Sequence, residues 1–259
     1  MFARERAIEN ASFWMGAVPY TYKPWAATTP RHKQESPPML MLRSVSKSFH
    51  DGESELQVLR DIDLHLGTSD SIALLGASGC GKSTLLQIAA GLEQPDHGEV
   101  QVLGRPLSEL GERDLALLRR RHLGFVFQQF NLLPGLDVRD NVLFQRRLNR
   151  LPEQDDWTAE LYDVLGLGPL LDRPVEVLSG GQQQRVAIAR ALAHHPELVF
   201  ADEPTGNLHD TLSRQVMGLL ARLVDESGCS LLLVTHNRAM AAFSRRRLLL
   251  EGGKLHEQD

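Results

Sequence analysis

The sequence predicts an α/β domain with a buried parallel sheet, and three stretches carry that expectation. The short apolar run Ile72 to Leu75 reads as a buried strand and leads into Gly76, Ala77, Ser78, Gly79, Cys80, Gly81, Lys82, Ser83 and Thr84. Leu85, Leu86, Ile88 and Ala89 then fall at helical spacing, so strand, glycine-rich loop and helix follow one another. Leu198-Val199-Phe200-Ala201 is continuously apolar and ends in Asp202-Glu203. A strand without alternation is buried on both faces, and its C-terminal edge is where open α/β sheets place their ligands. Ser230 to Val234 repeats the pattern and ends in Thr235-His236.

The spacing of Gly76, Gly81, Lys82 and Ser83 sets the chemistry of the first stretch. Glycines let the backbone wrap close to an anion, and the unpaired amides and dipole at a helix start favour a phosphate chain. Lys82 is then expected beside the β- and γ-phosphates and the Ser83 hydroxyl on Mg²⁺, as in a P-loop. Asp202 is positioned for the same ion and Glu203 for a water. His236 after a strand reads by itself as structural, yet it emerges at the same sheet edge as the acids.

Composition narrows the classes. With 259 residues and 42% hydrophobic content the chain can bury a proper core. A net charge of -5 argues against nucleic acid as the main partner. Basic clusters at Arg119 to Arg121, at Arg146 with Arg147 and at Arg245 to Arg247 read as solvated helix faces or helix C-terminal turns, or as contacts to an anionic membrane. Two cysteines, Cys80 and Cys229, make no disulfide framework and suit a reducing compartment. No apolar stretch reaches the ~18 residues of a membrane-spanning helix.

In chain order, residues 1–38 hold five prolines and scattered aromatics without periodicity, and are expected to be poorly ordered. Glu5 and Glu9 and a short apolar patch speak against a signal peptide, and a true start at Met39 or Met41 is the simpler account. Leu40 to Val45 and Val58 to Leu66 look like strands, with Asp51-Gly52 marking the turn between them. Phe49, just before that turn, fits either strand-end core or a platform stacked on a purine. Gly98 to Leu103 is a strand candidate, Glu109 to Arg121 a polar helix, and Gly124 to Gln128 a short strand ending in an amide. Residues 129–177 lack strand signals and read as an α-helical lobe inserted into the α/β domain, with helices over 140–149 and 155–165. Leu178-Ser179-Gly180-Gly181-Gln182 opens a helix over 183–193, with Ser179 as its N-cap. This pentapeptide is either an ordinary capped turn or a second anion cradle, which one nucleotide site in a monomer does not need.

Taken together these residues resemble the nucleotide-binding subunit of ABC transporters, from about Leu40 to Leu255. The order of motifs carries the resemblance: Walker A at Gly76 to Ser83, a Q-loop at Gln128, the signature at Leu178 to Gln182, Walker B at Leu198 to Asp202 with Glu203, and the switch His236. The segment Pro204-Thr205-Gly206-Asn207-Leu208, with Phe125 to Phe127 and Asn131 to Pro134, looks like the group of lipoprotein-release, macrolide-export and cell-division ATPases.

The resemblance implies a P-loop NTPase core of RecA type with an antiparallel β subdomain and an inserted helical subdomain, residues 39–259 forming one ABC ATPase domain. It also implies a head-to-tail homodimer holding two ATP molecules with Mg²⁺. Ser179, Gly180, Gly181 and Gln182 then act in trans, while Lys82 and Ser83 act in cis. Ser83, Gln128 and Asp202 surround the metal, Glu203 polarises the water, His236 stabilises the transferring phosphoryl group, and Phe49 stacks on adenine. Such a protein is a cytoplasmic ATPase peripheral on the inner membrane, powering a permease for export or for extraction from the membrane. Two other readings stay open: an importer of a small polar solute, and a regulator or divisome component without transport. Two positions depart from the family pattern, His209 and Asn237, each where an aspartate is usual.

Overall fold

The computed structural model describes residues 38–51 and 54–258. The expectation for the N-terminal stretch, and Gly52 of the expected turn, lie outside these residues. Strands β1 (Leu40–Asp51) and β2 (Ser54–Leu66) pair antiparallel, Leu40 opposite Leu66 and Val45 opposite Ile62. With β4 (His97–Val102) and β5 (Arg105–Pro106) they make a four-stranded antiparallel sheet in the order β2-β1-β4-β5. The first two strands run further than their sequence pattern suggests, because three register irregularities between Leu42 and Ser48 break the alternation of β1 without ending its pairing.

The second sheet has the order β10-β9-β3-β8-β7-β6. Its strands are β3 (Ser71–Leu75), β6 (Leu123–Phe127), β7 (Leu198–Asp202), β8 (Ser230–Val234), β9 (Arg246–Glu251) and β10 (Lys254–Gln258). All are parallel except β10, which turns back along the edge. The two faces of this sheet feed two different cores. Ile72 and Leu74, Leu198 and Phe200, and Leu232 and Val234 pack with α1 (Lys82–Ala89) and the inner face of the antiparallel sheet. Ala73, Val199, Ala201, Leu231 and Leu233 point the other way, into α5 (Gly180–Leu192) and α6 (Asp210–Ser227). Each of these side chains is essentially inaccessible, and full burial of one aliphatic side chain contributes roughly 1.5–3 kcal/mol, which is why the strands carry no polar alternation.

Between β6 and α5 the chain forms α3 (Val138–Leu148), α4 (Asp156–Val164) and short 3₁₀ turns, with one isolated bridge between Asp137 and Pro174. Asp137 caps α3 through the Asp140 amide, and Asp155 caps α4 with Thr158 in a reciprocal capping box. The polar helix expected from Glu109 is α2 (Glu112–His122), since Leu107–Glu109 winds as a 3₁₀ turn. A short α7 (Arg238–Ala241) follows β8, capped by Asn237.

Arg146 and Arg147 fall in the last turn of α3, as a helix C-terminal turn was expected to, but Arg146 is not solvated, and Arg246 and Arg247 are not on a helix. Arg146 is 1% exposed, pairs with Asp155 at 2.8 Å, and donates to the carbonyls of Pro152 and Ala193 at 2.7 Å each. It ties α3, α4 and the end of α5 together, a tertiary role that helical periodicity cannot reveal. Arg246 and Arg247 lie on β9, where Arg246 pairs with Glu257 across the β10 hairpin at 3.0 Å.

Candidate nucleotide-binding and hydrolysis site

The glycine-rich loop leaves the C-terminal end of β3 and winds into α1, as its sequence requires. Glycine is needed at both ends. A Cβ on Gly76 would stand 2.7 Å from the Leu250 carbonyl oxygen, and one on Gly81, at φ 105°, 2.5 Å from Val58. Gly81 is the N-cap of α1 and supplies no side chain, so the first amides of the helix have no partner within it. Lys82 is 7% exposed and donates from Nζ to the Gly76 and Ala77 carbonyls at 3.0 and 2.8 Å. The loop thus holds its own cation in place. Cys80 is partly buried against Gly76 and is a free thiol.

The acids arrive on the neighbouring strands. Residues Leu74 and Val234, and Val234 and Asp202, are paired by the parallel register, so the ends of β3, β8 and β7 stand level. Ser83 Oγ donates to Asp202 Oδ1 at 3.2 Å. Burial pushes the Asp202 carboxyl above the usual range, and the Glu203 charge adds to this while the Ser83 hydroxyl opposes it. An oxygen-only pair of a hydroxyl and a half-buried carboxylate is the donor chemistry that suits a hard dication such as Mg²⁺.

Glu203 takes φ 46°, a left-handed conformation costly for a residue with a side chain, and its amide donates to the Val234 carbonyl at 2.9 Å. The twist brings its carboxylate back over the sheet edge. There Oε1 accepts from the His236 backbone amide at 3.0 Å and lies 2.8 Å from His236 Nδ1, while the Thr235 hydroxyl donates to Oε2 at 3.4 Å. The motif reading named His236 but gave no role to Thr235, although both sit at the same strand end. The Glu203 side chain is 16% exposed and that of His236 64%.

Gln128 follows β6 directly. A Cβ on Gly206 would come within 2.9 Å of the Gln128 amide, and Asn207 donates to the Gln128 carbonyl at 2.8 Å. The loop after β7 is therefore packed on the loop after β6, a contact that neither segment announces by itself. Phe130 and Asn131 both take left-handed conformations, and the Arg190 guanidinium of α5 holds both their carbonyls.

The Ser179 turn is held differently. Ser179 caps α5 by accepting from the Gln182 amide at 3.4 Å, and the Gln182 side chain accepts from the Ser179 amide at 2.9 Å. Capping starts the helix at Gly180, three residues before the expected start. Gly181 is buried against Leu212 of α6, whereas Ser179 and Gly180 are exposed. Among the described residues no hydrogen bond joins this turn to the loop at 76–84. Phe49 is 43% exposed, too open for strand-end core, and the Lys47 ammonium stands over its ring at 5.5 Å from the centroid.

The family model described as ABC transporter matches residues 59–206, more than half of the chain and including the phosphate loop, the signature turn and both acids. The chain belongs to the ABC transporter ATP-binding family. It is 40% identical over 222 residues to a lipoprotein-releasing system ATP-binding protein, LolD, of Alcanivorax borkumensis, covering 85% of this chain and 97% of the relative. It is 42% identical over 222 residues to a macrolide export ATP-binding/permease protein, MacB, of Marinobacter nauticus, covering 85% of this chain but only 34% of that longer protein. Among solved structures, the dimeric bacterial ABC transporter cassette MJ0796 superposes with a TM-score of 0.77 at 35% identity, covering 85% of this chain and 98% of the cassette. The same cassette is known as a dimer in a post-hydrolysis state with ADP and Pi, at 34% identity. This ABC protein is thus an ATPase, with the α/β P-loop fold expected from its sequence. No described helix is long and apolar enough to cross a membrane.

Proposed function

We propose that two copies of this ABC ATPase close around two MgATP molecules and drive a membrane permease that exports a substrate or extracts it from the membrane. One observation carries the reading. Among the described residues, the helix starts at Gly81-Lys82 and at Ser179-Gly180 can each attract an anion, and no hydrogen bond joins the two within one copy. A head-to-tail dimer brings each exposed Ser179 turn to the phosphate loop of its neighbour, so that Ser179 and Gly181 reach the γ-phosphate in trans while Lys82 and Ser83 hold it in cis. The relatives' names support the export or extraction direction.

Within each site the residues have separable duties. The triphosphate displaces the Gly76 and Ala77 carbonyls as partners of Lys82. Ser83, Asp202 and Gln128 would hold Mg²⁺, which neutralises charge on the phosphate oxygens. Glu203, steered by its bonds to His236 and Thr235, polarises the attacking water, and His236 stabilises the transferring phosphoryl group. Phe49 stacks on the adenine. Gln128, packed under Gly206 and Asn207, transmits the state of the site to the helical lobe at 129–177, which faces the permease. The protein then works at the cytoplasmic face of the inner membrane, held there by the permease.

Glu203→Gln tests the model. We expect it to bind ATP, to run as a stable dimer in light scattering with ATP and Mg²⁺, and to hydrolyse at least about 10²-fold more slowly. Wild-type turnover, or a monomer under those conditions even with the permease present, overturns the assignment. Purification from membranes with identification of the bound protein tests the permease.

A further inference from the structure

The loop that follows the phosphate-binding helix does more than connect it to β4. Glu93 Oε1 lies 2.7 Å from the Lys47 ammonium, the Gln94 carbonyl accepts from it at 2.9 Å, and Asp96 Oδ1 lies 3.2 Å away. The other oxygen of Asp96 accepts from the Ser48 amide at 2.6 Å. Both residues immediately before Phe49 are thus held by one loop. The pairing of β1 slips between Val45 and Lys47 and again between Lys47 and Ser48, so the loop braces the strand where its register is irregular, just before Phe49 settles opposite Leu56. The Lys47 side chain is only 11% exposed, and its ammonium stands over the Phe49 ring. Beside them opens a cleft of about 610 Å³ lined by Lys47, Ser48, Phe49, Gln57, Glu93 and Asp96. That volume falls in the range of small-molecule sites, roughly 300–1,000 Å³.

We infer that Lys47, clamped by Glu93 and Asp96, is a positioning residue that holds the Phe49 ring as a platform for the purine base. The inference rests on the reading of Phe49 as the base platform and deepens it. A cation fixed over one part of the ring is attracted to its negative face and limits the ring's rotation, leaving the remaining exposed surface to the base. Glu93 and Asp96 keep the ammonium from swinging out to water. Because that loop begins where α1 ends, the distance between the phosphate loop and the platform is set by one short helix and this clamp.

The experiment compares Lys47→Met, Lys47→Arg, Phe49→Ala and the Lys47→Met/Phe49→Ala double variant in the full-length chain. The readouts are steady-state ATP hydrolysis and inhibition by inorganic tripolyphosphate, which carries phosphates but no base. We expect Phe49→Ala to raise KM for ATP by about ten-fold and Lys47→Met by about three- to ten-fold. In both, kcat and tripolyphosphate inhibition stay as in the wild type. Lys47→Arg restores KM, and the double variant matches Phe49→Ala, since Lys47 acts only through the ring. If Lys47→Met leaves KM unchanged while Phe49→Ala raises it, the clamp is overturned and the platform stands. If Phe49→Ala leaves KM unchanged, the platform and the clamp both fall. Loss of tripolyphosphate binding in Lys47→Met, or additive effects in the double variant, overturns the clamp by placing Lys47 in the phosphate loop or in the general fold.

Discussion

The phosphate-loop edge and the Ser179 turn both open a helix with glycine, yet they are built in opposite ways. The edge is assembled from strand ends far apart in the chain, brought level by the register of β3, β8 and β7, and Lys82, Ser83, Asp202, Glu203 and His236 already touch their neighbours there. The turn is made by four consecutive residues and a capping box, with its serine and first glycine left open. A site made of buried strand ends is set by folding. A turn whose exposed residues bond only to one another is, in the proposed dimer, completed by the neighbouring copy.

Breaking the two regions separately gives the largest effects. Lys82→Ala should abolish ATP binding by the isolated chain, because the phosphate loop loses its cation. Gly180→Glu should fold normally, since a Cβ there meets only ordinary contacts with Leu208 and Phe130 at 3.7 and 3.8 Å and a carboxylate suits a helix N-terminus. It should still bind ATP as a monomer but hydrolyse it about 10²-fold more slowly, the new charge repelling the neighbour's triphosphate. Calorimetric titration beside turnover separates the two losses.

Smaller effects sharpen the comparison by testing what supports each region. Arg146→Met removes the guanidinium that joins α3, α4 and the C-terminal end of α5, the helix that begins at the Ser179 turn. A buried partner removed from an ion pair costs about 3 kcal/mol or more, with the lower end expected here because Asp155 keeps 32% exposure. Denaturant unfolding measures it.

His194, at the end of that same helix, is held neutral by burial, which lowers its pKa to about 4, while Nε2 lies 3.1 Å from the Leu123 carbonyl. Its unfolded value is about 6.5. The unfolded chain therefore takes up the proton first, and stability falls as the pH drops from about 6.5 toward 4. His194→Gln should flatten that part of the profile. Asp155 acts lower on the scale. Burial raises its carboxyl, but Thr158, His195 and Arg146 together hold it well below the usual range, so its contribution is lost only as acid protonates it. The smallest change is His209→Asp. His209 caps α6 through a long 3.5 Å contact with the Leu212 amide. Aspartate is a better cap by about 0.5–1 kcal/mol, so we expect a slightly higher melting temperature, unchanged ATP binding and faster hydrolysis.

The elements most legible in the sequence were those whose burial leaves an unbroken pattern. β3, β7 and β8 read as continuous apolar runs because both faces are covered, and the loops at their ends carry residues fixed by local chemistry, glycine at 76 and 81 above all. Apart from β8, the segment after Leu208 was far less legible. It holds α6, β9 and β10, where Arg246 and Arg247 interrupt the apolar signal of a strand paired on both sides. The pair Arg146-Arg147 sits in a helix C-terminal turn as its sequence suggests, but the burial of Arg146 was not legible, since its partners lie far along the chain or beyond the next turn.

The sequence by itself determined the glycine loop after β3, the serine that caps α5, and that the strands between them are buried, because glycine geometry, capping and apolar burial act over a few neighbouring residues. Only the tertiary structure decided that Glu203 meets Thr235 and His236, that Gln128 lies under Gly206, and that Lys47 is clamped beside Phe49. Those contacts depend on strand register and loop packing between segments up to 78 residues apart, and distance in space across such separations leaves no trace in local pattern.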